Sequence, residues 1–223
     1  NKMKNNDTFA TPLECDFLII GTGLSGLYAA LYASKFGNVC IITKSSIDES
    51  NSYWAQGGIA AAIDHNDSIE SHFNDTISVG SGLNHEKAVK VLVKEGFDRV
   101  NELIESGMEF DSGSDGLDLG IEGGHSNRRI LHALGNETGK ATVDFLRKKI
   151  EKNKKIKILD GTSVIELFSD KKQCYGCLVQ SDKEKKKIGI KSKSTILATG
   201  GACGIYYNST NPSATSGDGI IMG

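Results

Sequence analysis

Asp16-Phe17-Leu18-Ile19-Ile20-Gly21-Thr22-Gly23-Leu24-Ser25-Gly26-Leu27 is an apolar run of strand-forming residues that meets Gly-x-Gly-x-x-Gly and passes straight into a helical pattern, Leu27-Tyr28-Ala29-Ala30-Leu31-Tyr32-Ala33. Strand, glycine turn and helix in that order make the phosphate site of a dinucleotide fold. Gly21 turns the chain sharply off the strand, and Gly23 keeps any side chain from standing between backbone and pyrophosphate. Gly26 lets the helix lie close on the sheet. The N–H groups and positive dipole end at the helix start then face the phosphates. A glycine-rich turn alone is weak evidence. Its position between an apolar strand and an Ala-rich helix gives it meaning.

Outward from this stretch, Asn38 to Lys44 reads as a short buried strand that completes a βαβ unit. The acidic residue that usually follows the second strand and holds the adenosine ribose is missing, and Lys44 stands near its place. A nicotinamide dinucleotide bound in the usual way is therefore disfavoured. Lys44 itself reads either as a solvated strand end or as a cation beside the adenosine half. Asn51-Ser52-Tyr53-Trp54-Ala55-Gln56-Gly57-Gly58 follows, with the only Trp of the chain. Amides, hydroxyls, two aromatics and paired glycines are poor helix and core material, so a loop against a flat ligand is expected, with a plain surface loop as the alternative.

Residues 67–79 and 86–106 have helical spacing, the second with Val89, Leu92, Val93, Gly96, Val100, Leu103 and Ile104 as one apolar stripe closed by Gly107. His72 reads as a surface residue and His85 as a helix start. Asp111 to Gly120 reads as a mobile loop rich in Gly, Asp and Ser. It leads to Glu122-Gly123-Gly124-His125-Ser126-Asn127-Arg128-Arg129, which is either a polar loop with internal ion pairs or a site for a small charged molecule. A helix from Asn136 or Thr138 to about Asn153 should turn Val143, Leu146 and Ile150 inward. Strands are expected at 157–159, 163–168, 177–180, 187–191 and 195–198, the middle three forming a small antiparallel meander. Ala198-Thr199-Gly200-Gly201 is a second strand-to-glycine turn.

Bulk properties narrow the field. A chain of 223 residues with 38% hydrophobic and 24% charged residues can bury a substantial core. The net charge of −2 with no basic face disfavours a nucleic-acid partner. No apolar run approaches the roughly 20 residues of a membrane span, so no membrane partner is expected. Without a signal-peptide core the expected compartment is the cytoplasm. Five cysteines without secretory context argue against a disulfide framework. Cys174-Tyr175-Gly176-Cys177 has no second pair and no nearby His, so it reads as a strand bend at Gly176, and no metal site is expected.

Five motifs in order then become specific: Gly21 to Gly26, Ala55-Gln56-Gly57-Gly58-Ile59-Ala60, Glu122 to Ser126, Ala198 to Gly201, and Gly217-Asp218-Gly219. Together they resemble the flavoproteins of the succinate dehydrogenase/fumarate reductase superfamily, and within it the aspartate-oxidising branch, from Cys15 onward. The resemblance implies a Rossmann-like FAD-binding α/β domain at 14–223, with a central parallel sheet and the small meander, after a flexible arm at 1–13. It implies that Gly21, Thr22, Gly23, Leu24, Ser25, Gly26, Lys44, the Asn51–Gly58 loop (Asn51, Ser52, Tyr53, Trp54, Ala55, Gln56, Gly57, Gly58) and Asp218 contact FAD. This favours the cationic reading of Lys44. Members in membrane complexes attach FAD through a His five residues before the Gln of Ala-Gln-Gly-Gly. Here that position is Asn51, which implies non-covalent FAD.

Those members also carry an aromatic residue where this chain has Glu122. The resemblance implies that Glu122 orients L-aspartate, whose α-hydrogen leaves as hydride to give iminoaspartate. Oxygen or fumarate would take the electrons, and the product would feed quinolinate and NAD synthesis, with possible coupling to quinolinate synthase. The branch draws a cationic Arg and further carboxylate ligands from a capping domain and later segments. None of these precedes Gly223, so the chain is expected to be a fragment, inactive alone.

Overall fold

The computed structural model describes residues 12–183 and 185–223. In chain order the elements are β1 (Leu13–Ile20), α1 (Leu24–Ala33), β2 (Val39–Ile42), α2 (Asn51–Trp54), β3 (Ile59–Ala60), α3 (Ile69–Val79) and α4 (Glu86–Glu105). Short strands β4 (Ser112–Gly113), β5 (Gly116–Leu117), β6 (Leu119–Gly120) and β7 (Ile130–Leu131) precede α5 (Thr138–Glu151). Then come β8 (Ile156–Leu159), β9 (Thr162–Ser169), β10 (Cys174–Ser181), β11 (Lys187–Leu197) and α6 (Asp218–Met222). The chain divides into two compact units, one of residues 1–54 with 143–223 and the other of residues 55–142. Most of the expected arm lies outside the described residues, and Leu13 already belongs to β1.

The first unit is built on a six-stranded sheet in the order β8-β2-β1-β11-β10-β9. Its first four strands run parallel, and β10 and β9 are antiparallel additions. All four residues of β2 are buried, as befits a central parallel strand covered on both faces. Leu18, Ile20, Cys40, Ile42, Cys177, Val179 and Ile190 form one core cluster. Val143, Leu146 and Ile150 turn inward as expected.

The expected meander is present but is no separate sheet, and its last strand is longer than expected. The sequence predicts two strands, at 187–191 and 195–198. They form the single β11, because the polar stretch Lys191–Ser194 keeps its backbone ladder with Glu14–Phe17 of β1. Lys193 Nζ meets Asp16 Oδ1 at 2.6 Å across that pairing, so the polar residues break no strand. The bend at Gly176 is there as well. Its φ is +132°, a Cβ would fall 1.9 Å from Ile190 O, and the β9–β10 register shifts between Cys174 and Gly176. Burial pushes the Cys177 thiol up to about 12, so it stays a protonated core residue at neutral pH.

The second unit pairs α3 with α4 beside a three-stranded sheet, β3-β7-β6. On α4 the residues Val89, Val93, Val100 and Leu103 are buried, whereas Leu92 is exposed and drops out of the expected stripe. After Glu105 the chain turns with Met108 N–H on Leu103 O and Gly107 N–H on Ile104 O, the paired bonds of a Schellman end. His85 caps α4, accepting from Ala88 N–H. The stretch from Asp111 to Gly120 is not wholly irregular, since β4 and β5 pair as a two-stranded hairpin. No helix among the described residues is long and apolar enough to cross a membrane.

Candidate functional site

The dinucleotide motif folds as its residue types demand. β1 ends at Ile20, and Gly21 leaves it with φ +115° while its N–H donates to Ile42 O at 2.8 Å. A Cβ on Gly21 would stand 2.1 Å from Ala198 O, and one on Gly26 would stand 2.1 Å from Gly21 O. Strand β11, the turn and α1 therefore meet backbone to backbone, and only hydrogen fits between them. Gly23 is the extended N-cap of α1 and offers no side chain to the open N–H groups. One of these is taken from outside the helix: Ser52 Oγ accepts the Leu24 N–H at 3.0 Å.

These elements surround a cavity of about 380 Å³. Gly21, Thr22, Gly23, Leu24, Ser25, Lys44, Asn51, Ser52 and Asp218 line it, while Gly26, Tyr53 and Trp54 do not. Gly26 acts one layer back, as a spacer. Trp54 is exposed and gives its indole N–H to Asp48 O at 3.0 Å. Residues 51–54, expected as loop, form the short helix α2, with Ser50 Oγ accepting the Tyr53 N–H. A local side-chain cap supplies what their composition lacks. The cavity is also lined by Thr162, Ser163, Thr199 and Thr215. Of these only Thr199 lay in a recognisable motif.

Lys44 is a cation engaged by two side chains. Its Nζ donates to Asp218 Oδ2 and to Ser216 Oγ, each at 2.6 Å, and Ser216 in turn donates to Asp218 Oδ1. The Lys44 hydrogen bond holds the Asp218 carboxyl below the usual carboxylate range. The Thr22 hydroxyl donates to that of Thr43 at 3.1 Å, both buried. Asn51 Oδ1 accepts from Thr215 Oγ1 at 3.0 Å, which ties α2 to the segment before α6. A close-approach glycine turn, a helix N-terminus, one Lys and several hydroxyls fit a ligand that carries a pyrophosphate and sugar hydroxyls.

Ala55, Gln56, Gly57, Gly58 and Glu122 belong to the second unit. There Glu122 lies beside the glycine pair: a Cβ on Gly57 would be 3.9 Å from Glu122 Oε1. Glu122 is exposed, and among the described residues no hydrogen bond or ion pair engages its carboxylate. Arg129 has a different fate. It is completely buried, with Nε and Nη2 on the two oxygens of Asp67 at 2.8 and 2.9 Å and Nη1 on Asp75 at 2.8 Å. Arg128 donates to Leu119 O at 3.1 Å. Within this stretch Arg129 forms internal ion pairs, and among the described residues the Glu122 carboxylate has no hydrogen-bond or ion-pair partner.

His72 corrects the sequence reading outright, because it is buried. Its ring meets that of His125 edge to face, with centroids 6.1 Å apart. Burial pushes the His72 imidazole below its usual range, helped by Arg129 and His125 and opposed by Asp67 and Asp75. The unfolded chain, with a His pKa near about 6.5, therefore takes up the proton first as pH falls. The stabilisation from a neutral His72 is present above that pH and is lost below it, toward the lower folded value. The unfolding midpoint is expected to drop between pH 7.5 and 5.5, and His72→Phe should flatten that drop. Superimposable profiles for the two proteins would contradict this.

Comparison with known proteins places these features in a family. The chain matches the family described as FAD binding domain over residues 16–223. It is 42% identical over 212 residues to L-aspartate oxidase, chloroplastic, of Oryza sativa, covering 93% of this chain and 33% of that protein. It is 39% identical over 212 residues to L-aspartate oxidase of Clostridium acetobutylicum, covering 94% and 48%. The chain thus spans from a third to about half the length of these curated relatives. Among solved structures, the apo Sdh1 complex of Mycobacterium smegmatis has TM-score 0.89 at 29% identity, over 96% of this chain and 39% of that one. A quinol-fumarate reductase with menaquinol has TM-score 0.89 at 27% identity, over 96% and 37%. With a strand–glycine–helix cradle at its start and a family match over nearly its whole length, the chain belongs to the FAD binding domain family.

Proposed function

We propose that this chain is the FAD-holding portion of an enzyme that oxidises L-aspartate to iminoaspartate, with oxygen or fumarate as final electron acceptor. FAD, when bound, supplies the two-electron acceptor. The start of α1 with Thr22, Gly23, Leu24 and Ser25 would take the pyrophosphate, and Lys44, Ser52 and Asp218 would take phosphate and hydroxyl groups. Asn51 has a carboxamide, engaged by Thr215, where a covalent link would need an imidazole. FAD is therefore held non-covalently.

The observation that carries the substrate reading is the unpaired Glu122 carboxylate beside Gly57. L-aspartate and succinate share two carboxylates and differ in the α-ammonium, so an anion at the substrate is the feature that separates them. A charge-assisted contact is worth about 1.5–3 kcal/mol, or roughly 10- to 100-fold in preference. Relatives named L-aspartate oxidase support the same substrate. An imine hydrolyses in water, so the next enzyme must capture it quickly; quinolinate synthase, on the way to NAD, would be that enzyme. The cytoplasm is the proposed compartment, while plant relatives carry chloroplast names.

Full-length protein supplied with each substrate under oxygen should turn over L-aspartate and leave succinate nearly untouched. All flavin should leave with the supernatant when the protein is denatured. Turnover of succinate alone would make it a dicarboxylate oxidoreductase, and flavin retained on the denatured chain would overturn non-covalent binding.

A further inference from the structure

Asp67, Ser71, Asp75 and Val79 are spaced by four, so α3 and the turn before it present them on one face. Three of the four are polar, so this face is joined to its neighbour by hydrogen bonds more than by apolar packing. That face holds the loop from Glu122 to Arg129. Asp75 Oδ2 accepts from the Ser126 backbone N–H, the Ser126 hydroxyl and Arg129 Nη1, each at 2.8 Å. One turn further along, Gly124 sits so tightly on Val79 that a Cβ there would be 2.4 Å from Val79 Cγ2. The His125 N–H then closes a turn on Glu122 O at 3.1 Å. A carboxylate on α3 thus anchors Ser126, four residues after a carboxylate that has no anchor of its own.

We propose that Asp75 is the positioning residue for Glu122: by fixing Ser126 it fixes the turn on which Glu122 stands, and so aims the free carboxylate at the substrate's ammonium group. The substrate half rests on the reading of Glu122 given above. The backbone N–H of Ser126 does most to hold the Asp75 carboxyl below the usual carboxylate range, so the anchor stays ionised at neutral pH. Both hydrogen bonds reach the part of the loop that two consecutive glycines would otherwise leave loose. Arg129 is matched by both oxygens of Asp67, and its Nη1 shares Asp75 Oδ2 with Ser126, so the buried guanidinium steadies the carboxylate that holds the turn.

The test uses Asp75→Asn, Glu122→Gln and the double variant in the full-length, FAD-loaded protein. Asp75→Asn keeps the size but weakens both Ser126 bonds together with the ion pair to Arg129, whose bidentate contact with Asp67 remains. It should lower kcat/KM for L-aspartate about tenfold, chiefly through KM, with bound flavin unchanged. In the Glu122→Gln background the same change should cost less than about twofold, since its route to the substrate is already cut. Amide hydrogen exchange across residues 123–126 should rise about tenfold in Asp75→Asn. If that variant fails to retain flavin, Ser126→Ala keeps the backbone N–H bond to Asp75, removes the hydroxyl's contacts with Asp75, Ser71 and Asn127, and should shift exchange and KM in the same direction by about twofold. Additive losses, or exchange unchanged across the turn, would overturn the proposal. Should Glu122→Gln leave L-aspartate turnover untouched, the substrate reading fails, and the exchange measurement alone decides whether Asp75 orders the turn.

Discussion

Arg129→Met is expected to remove about 3–5 kcal/mol of stability, the largest loss from any single side chain in the second unit. The guanidinium is fully buried and spends four hydrogen bonds on Asp67, Asp75 and Ser71. The Asp67 side chain is 1% exposed, so removing its partner strands a carboxylate with almost no water. Met fills much of the volume but cannot neutralise that charge. For a chain of this size the loss corresponds to a fall of roughly 6–20 °C in the unfolding midpoint. Arg129→Lys keeps the charge but loses the two-pronged fit to Asp67, and should fall between the two. Changing Asp67 to Asn alongside Arg129→Met should recover part of the loss, because the stranded charge goes with it. A change below about 1 kcal/mol would mean that the ion pair behaves as a surface pair, contrary to its burial.

Gly21→Ala is expected to empty the cofactor site. The obstacle is backbone on both sides: a methyl group 2.1 Å from Ala198 O, at a φ of +115°. Rotation away is blocked because the Gly21 N–H is bonded to Ile42 O at 2.8 Å. The turn must therefore back off from β11 and carry the start of α1 with it. The cost is on the order of 2–4 kcal/mol, combined with loss of most bound flavin. Gly96→Ala makes the contrast. Gly96 lies inside α4 with nothing within 4 Å of an added Cβ, so the same substitution should stabilise by about 0.5–1 kcal/mol. Flavin absorbance of the purified variants, with their unfolding midpoints, checks both signs. A Gly21→Ala protein that keeps its flavin would refute the close-approach argument.

Local chemistry made much of this fold legible. The strand, glycine turn and helix at 16–33 depend on residue types whose roles are steric, and the structure places Gly21 and Gly26 where those roles operate. Gly176 was readable for the same reason. What was not legible depends on partners distant in sequence. Tyr53 and Trp54 look unsuited to a helix until Ser50 is seen capping it. His72 looks like a surface residue until His125, some fifty positions on, packs against its ring. The interruption at Lys191–Ser194 looks like a break until β1 is seen running alongside.

The site divides in the same way. Its motif residues at 21–25, 44, 51–52 and 218 come together around one cavity in the first unit. The pairing of Lys44 with Asp218, 174 positions apart, left no local signal. The two arginines of the Glu122 loop were indistinguishable by sequence, and burial separates them. The polar spacing of Asp67, Ser71 and Asp75 was present in the sequence as a clue. It was hidden because a helix face that packs on a neighbour is normally recognised by its apolar residues.

The proposed selection of an amino diacid by the free carboxylate at position 122 is tested most directly by the ratio of kcat/KM for L-aspartate to that for succinate, in the full-length protein and in Glu122→Gln with equal flavin content. Loss of one charge-assisted contact should cut the ratio roughly 10- to 100-fold, almost all of it through L-aspartate. An unchanged ratio, with both substrates affected alike or not at all, would contradict it.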